Sequence, residues 1–133
     1  MIPSDHLKAT LEILSDIEST SPPADAVTSG WFRARRLLDD TDRGSIMELL
    51  YALLRHRARL GWWLAQQGQS DSPRGRLLSW LVLAEGKTPD QINRLFDGAQ
   101  VAPAALSQSE NALVVGLRGH TMVHPDMPQD VRL

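Results

Sequence analysis

The chain has 133 residues, of which 42% are hydrophobic and 23% charged, with a formal net charge of −2 and no cysteine. That size and balance describe one domain able to bury its own core, and they argue against general disorder. The lack of cysteine excludes a disulfide framework, a thiolate metal site and a cysteine nucleophile, and with no sign of an oxidising compartment the expected location is cytoplasmic.

The charge is unevenly spread. Residues 1–30 carry one lysine against five acids, whereas residues 31–76 carry nine arginines against five acids. Such asymmetry marks a surface suited to a polyanion, although the overall pI near 6.0 is not that of a dedicated nucleic-acid binder. The opening MIPSDHLKATLEIL lacks the basic start and unbroken apolar core of a secretory signal. The densest apolar run, residues 77–84, is far shorter than the ~18–20 residues that cross a bilayer, so no membrane partner is expected.

Residues 5–19 predict a first helix, with Leu7, Thr10, Leu11, Ile13, Leu14 and Ile17 on one broad face and Ser4 or Asp5 as its cap. Ser21-Pro22-Pro23 supplies a break. A second helix is predicted over residues 23–38, packing through Ala26, Val27, Trp31, Ala34 and Leu38, with Gly30 a point where it can kink or divide. Asp39, Asp40 and Asp42 form an acidic entrance to a long third helix over residues 41–64, favourable beside its positive N-terminal end. At about 100° per residue, Ile46, Leu49, Leu50, Leu53, Leu60 and Leu64 form its buried stripe, and Arg55 and Arg59 stand on the opposite side.

Residues 68–73 read as a polar loop, followed by a helix over residues 74–85 that is apolar all round and therefore central. Gly86 sits where a C-terminal glycine belongs. Thr88-Pro89-Asp90-Gln91 and Ser107-x-x-Glu110 are capping-box starts for two further helices, which present Ile92, Leu95 and Phe96, and Leu113, Val114 and Leu117. From Gly119 onward helical period is lost and two spaced prolines appear. No strand pairing and no internal repeat is visible. The expected fold is all-α, a compact bundle of six or seven helices over residues 1–118, with residues 119–133 as a linker or tail.

The search for catalytic residues is negative: there is no glycine-rich phosphate loop, no GxSxG elbow and no HExxH. His120, His124 and Asp126 have a spacing that suits metal ligands, but Pro125 opposes an ordered helical pair and no metal is assigned. The basic group carries more chemistry. Guanidinium forks suit phosphate oxygens, so Arg33, Arg35, Arg36, Arg43, Arg55 and Arg59 are the candidate RNA contacts. Arg57 falls inside the leucine stripe and reads as a partly buried arginine paired with an acid. Trp31, Trp62, Trp63 and Trp80 can stack on unpaired bases, but their helical spacing favours packing, with Trp80 in the core. Trp62 and Trp63 project about 100° apart, so at least one faces another helix or a partner domain.

In order and wording, LKATLEILSDI, WFRARR, DRGSIMELLYALLRHRARL, RGRLLSWLVLAEG, LFDG and VAPAALSQSE together resemble the N-terminal NusB-like domain of the Sun/Fmu/RsmB group of bacterial rRNA (cytosine-C5) methyltransferases. The resemblance covers nearly the whole chain and rests on helix pattern and short phrases. It implies a NusB-like bundle acting as a non-catalytic RNA-binding accessory module. Its implied partners are ribosomal RNA and a C-terminal catalytic domain, which binds S-adenosylmethionine and supplies the cysteines that attack cytosine. This chain has no cysteine and no cofactor loop, so no catalytic residue and no cofactor is carried over to it. A stand-alone NusB-like protein-interaction or transcription antitermination module is the alternative.

Overall fold

The computed structural model describes residues 3–132, which form eight helices and no strand among the described residues. They are α1 (Pro3–Ser19), α2 (Ala24–Arg33), α3 (Asp40–Arg55), α4 (Arg57–Gln66), α5 (Pro73–Leu83), α6 (Pro89–Leu95), α7 (Gln108–Leu117) and α8 (Gln129–Arg132). The chain is thus an all-α bundle. None of these helices is long and apolar enough to cross a membrane.

The local chemistry of the starts matches the sequence. The Asp39 carboxylate accepts from the Asp42 N–H, and Ser72 Oγ accepts from the Gly75 N–H ahead of α5. Thr88 with Gln91, and Ser107 with Glu110, close full capping boxes. Gly86, at φ +66°, ends α5, with Lys87 N–H donating to Leu81 O across the turn.

α5 is the axis of the core. Leu77, Leu78 and Leu81 are essentially inaccessible, and α1, α3, α4 and α7 pack around them. α2 lies on α1, α6 on α7 and α8 on α4. The approach of α4 to α5 is close enough to need Gly75, whose absent Cβ would stand 3.1 Å from a Leu64 methyl.

Four expectations are corrected. Ser4 lies within α1 and is buried rather than capping its start. α2 runs straight through Gly30 and stops at Arg33, and it packs through Thr28 and Trp31 while Ala26 and Ala34 are exposed. Residues 34–38 must instead turn the chain into the Asp39 cap, which leaves Leu37 fully exposed. The long third helix is two helices joined at His56, whose φ of −101° and ψ of 18° leave the helical basin. The His56 ring stacks on Trp80 of α5 at 5.3 Å, so the joint between the two helices is packed against a distant segment. Trp80 itself is half-buried rather than core, its Nε1 donating to Glu85 at the surface.

Residues 119–132, read from sequence as a linker or tail, fold back onto α4. Met127 is buried, and Arg59 donates to the carbonyls of Val131 and Arg132. Arg132 in turn donates to Met127 O. The absence of helical period in this segment reflects docking through single anchors, not a lack of contacts.

Candidate nucleic-acid interface

The six candidate arginines fall into two groups at opposite ends of α3. Arg43 and Arg55 are twelve residues apart on that helix, which is about 18 Å of rise. At the first end, Arg33 closes α2, and Arg35 and Arg36 follow in the turn. Arg43 faces them from α3, with its guanidinium 6.0 Å from the Phe32 ring centroid and its Nε buried without a hydrogen-bond partner among the described residues. At the other end stand Arg55 and, beyond the kink, Arg59.

Their freedom to meet a ligand differs. Arg33, Arg36 and Arg55 are exposed and make no ion pair or side-chain hydrogen bond among the described residues. Arg35 sits over the Trp31 ring at 4.0 Å, donates to Trp31 O, and lies 3.6 Å from Glu12. Half of its side chain still faces solvent. Arg59, read as outward-facing, is instead half-buried and committed to the carbonyls of the C-terminal turn. The C-terminal segment is the reason: residues 119–132 fold back onto α4 and cover the face that a helix wheel leaves to solvent.

Arg57 is paired with Glu18 at 3.2 Å, as an acid-partnered arginine, but it is exposed rather than partly buried. The buried arginine is Arg76, which sequence reasoning missed. It is 2% exposed, and its two terminal nitrogens meet Asp71 and Glu18. A polar residue at an α-helical position flanked by Gly75, Leu77 and Leu78 was the available signal. Arg74 is similarly spent, forming a two-pronged pair with Glu110.

Burial pushes the Glu110 carboxyl upward, but the Arg74 guanidinium and the Ser107 donors outweigh it and hold the group below its ordinary range. His56 is held below its ordinary value by desolvation first, then by the positive charges of Arg59 and Arg55. A neutral imidazole therefore separates those two arginines near neutrality. At the α1–α3 contact, the His6 hydrogen bond at 2.9 Å is the chief cause lowering the Asp42 carboxyl.

The tryptophan pair divides by role. Trp63 is buried in the fold itself, where its Nε1 donates to Met122 O and its ring meets His120 at 5.0 Å. Trp62 is half-buried, edge-on to Trp63 and 5.4 Å from His124. The His124 Nδ1 accepts from the Asp126 N–H, which ties a turn beside the tryptophans.

Beside Arg35 and Arg36 the surface opens into a groove of about 530 Å³ between α1, the residue 34–38 turn and the loop near Gln100. Trp31 and Ala9 line it, Leu37 and Val101 stand exposed at its edges, and Lys8 bonds across it to Gln100 O. A second groove of about 820 Å³ continues it past Glu12 and Arg35 toward Arg74. Sequence reasoning missed Lys8, Leu37 and Val101. Extending α2 to Leu38 placed that end of the chain in the core, whereas the acidic cap at Asp39 already required a turn before it. Comparison with protein-family models, curated proteins and solved structures finds no match to this chain.

Proposed function

We propose that this chain is a non-catalytic RNA-binding accessory domain, of the kind its resemblance to the NusB-like domain of rRNA (cytosine-C5) methyltransferases implies. The observation that carries the reading is the end of α2, where Arg33 and Arg36 project unpaired on either side of Arg35. Three guanidinium groups within four residues, of which only Arg35 is ion-paired with a carboxylate among the described residues, form a surface suited to phosphate. On this reading the RNA is ribosomal, the setting is cytoplasmic, and S-adenosylmethionine and the attacking cysteines belong to a separate catalytic domain. The half-exposed Trp62 beside His124 is the candidate contact with that domain.

Equilibrium binding of ribosomal RNA fragments across a salt series tests the reading. Phosphate contacts give a log–log slope of about −0.7 to −0.9 per phosphate, and Arg33→Ala with Arg36→Ala reduces that slope by about 2. Arg55→Ala reports on the second cluster. Arg59 is left intact, because its guanidinium holds the C-terminal turn. A flat salt response, or a double variant with unchanged affinity, refutes the arginine assignment.

A further inference from the structure

We propose that the groove beside Trp31 is a subsite for one unstacked base of single-stranded RNA, with the neighbouring phosphates carried by Arg36 and Lys8. The inference rests on the RNA-binding reading and adds what kind of RNA is held and where. Four observations converge on it. The groove's volume of about 530 Å³ lies within the roughly 300–1,000 Å³ of small-molecule sites, ample for one base. Leu37 is fully exposed and Val101 about half exposed, and both border the groove, so two apolar groups are open to a ligand there. The Arg35 guanidinium already lies over Trp31, and its opposite face extends that stack as a platform for a base. Finally, Trp31 is 7% exposed and lines the groove under the Arg35 guanidinium, so a fixed indole ring backs that platform.

The polar groups set a preference among bases. Glu12 lines the groove as an acceptor and shares its charge with Arg35 at 3.6 Å. A carboxylate there accepts from the exocyclic amino group of cytosine or adenine, which uracil lacks. An amphipathic protein helix needs a row of apolar pockets at i, i+3 or i+4, and i+7 spacing. The groove is bordered by Lys8, Arg35 and Arg36 beside two large exposed apolar groups, Leu37 and Val101, and that cationic border favours a nucleic-acid strand over the helix.

The test compares fluorescence anisotropy of short labelled oligonucleotides, about eight nucleotides and within the span of one small domain. Oligocytidylate and oligoadenylate are expected to bind more tightly than oligouridylate or a duplex of matched length. Leu37→Ser with Val101→Ser, both at exposed positions, weakens the single strands at least about fivefold, the loss of one stacked base, and leaves the duplex within about twofold. Trp31→Phe shrinks the ring that backs the Arg35 platform and reduces single-strand affinity about threefold or more. Equal binding of single strand and duplex, unchanged by Leu37→Ser with Val101→Ser but weakened by Arg33→Ala with Arg36→Ala, overturns the subsite and leaves the RNA reading standing. Failure of every RNA to bind at low salt overturns both. An acidic amphipathic peptide that loses binding in the Leu37→Ser, Val101→Ser variant while RNA does not also overturns the subsite.

Discussion

Replacing the two acids around Arg76 is expected to harm the fold more than replacing Arg76 itself. The arginine side chain is 3% exposed, while its partners are 27% (Glu18) and 49% (Asp71) exposed. Glu18→Ala with Asp71→Ala leaves a guanidinium sealed in the bundle with no counter-charge, the case in which breaking a buried pair costs about 3–5 kcal/mol. Arg76→Met removes the charge, keeps most of the buried stem, and frees two carboxylates that already reach water. Its cost is about 1–2 kcal/mol, set mainly by shape mismatch. With a urea m-value of about 2 kcal/mol/M, the double-acid variant loses about 1.5–2.5 M in its unfolding midpoint and the methionine variant no more than about 1 M. Glu18 also meets Arg57, but that pair is exposed, and Arg57→Ala should move stability by less than about 1 kcal/mol. Urea unfolding followed by tryptophan fluorescence reads all three. If Arg76→Met unfolds as easily as the double-acid variant, the charge is not what the acids are compensating, and the argument fails.

Other outcomes follow from particular contacts. Gly75→Ala places a methyl 3.1 Å from Leu64 Cδ2 and 3.0 Å from Ser72 Oγ, and the crowding should outweigh helix propensity for a net loss of about 1–2 kcal/mol by thermal unfolding. Gly116→Ala meets only the movable end of the Gln67 side chain and should be neutral or stabilising by up to about 1 kcal/mol. His56 has its pKa lowered on folding, so its contribution is complete above the ordinary value of 6.5 and declines as the pH falls below that. A denaturation series should show that decline, and His56→Gln should flatten it just below pH 6.5. The Glu110 carboxyl is also lowered, so its contribution holds above the ordinary 4.5 and is lost as the pH falls further, a second step that Glu110→Gln removes. Arg59→Ala should free residues 119–132 for proteolysis and hydrogen exchange while α1 to α7 stay folded.

The parts of the fold that were legible in the chain are those written in local chemistry. Capping boxes at Thr88 and Ser107 and the Asp39 cap consist of side chains within three positions of the groups they satisfy, and Gly86 ends α5 through its own positive φ. Helix type and the central place of α5 follow from the spacing of leucines, which depends only on the period of the backbone. What a single chain does not display is a contact between distant segments. The break at His56 has no proline or glycine to announce it, and the ring that stacks on His56 is Trp80, twenty-four residues further on. The pairing of Arg76 with Glu18 spans fifty-eight residues, and Arg59 reaches Val131 across seventy-two.

This difference bears directly on the proposed interface. Counting arginines along a helix wheel treats them as interchangeable cations, yet the structure spends Arg59, Arg74 and Arg76 on holding the bundle together. The groups left for a ligand are Arg55, on the outer face of α3, and Arg33 and Arg36, at the end of α2 and in the turn past it. A turn is where a charged side chain reaches outward without a competing neighbour on the next helical rung, and where an apolar residue such as Leu37 can stand exposed beside it. The proposed recognition surface therefore lies at the α2–α3 junction rather than along the leucine-seamed helix. If phosphate contact instead tracked Arg55 alone, with Arg33→Ala and Arg36→Ala silent in the salt series, the junction would be an ordinary solvated turn, and the interface would lie some 18 Å away at the far end of α3.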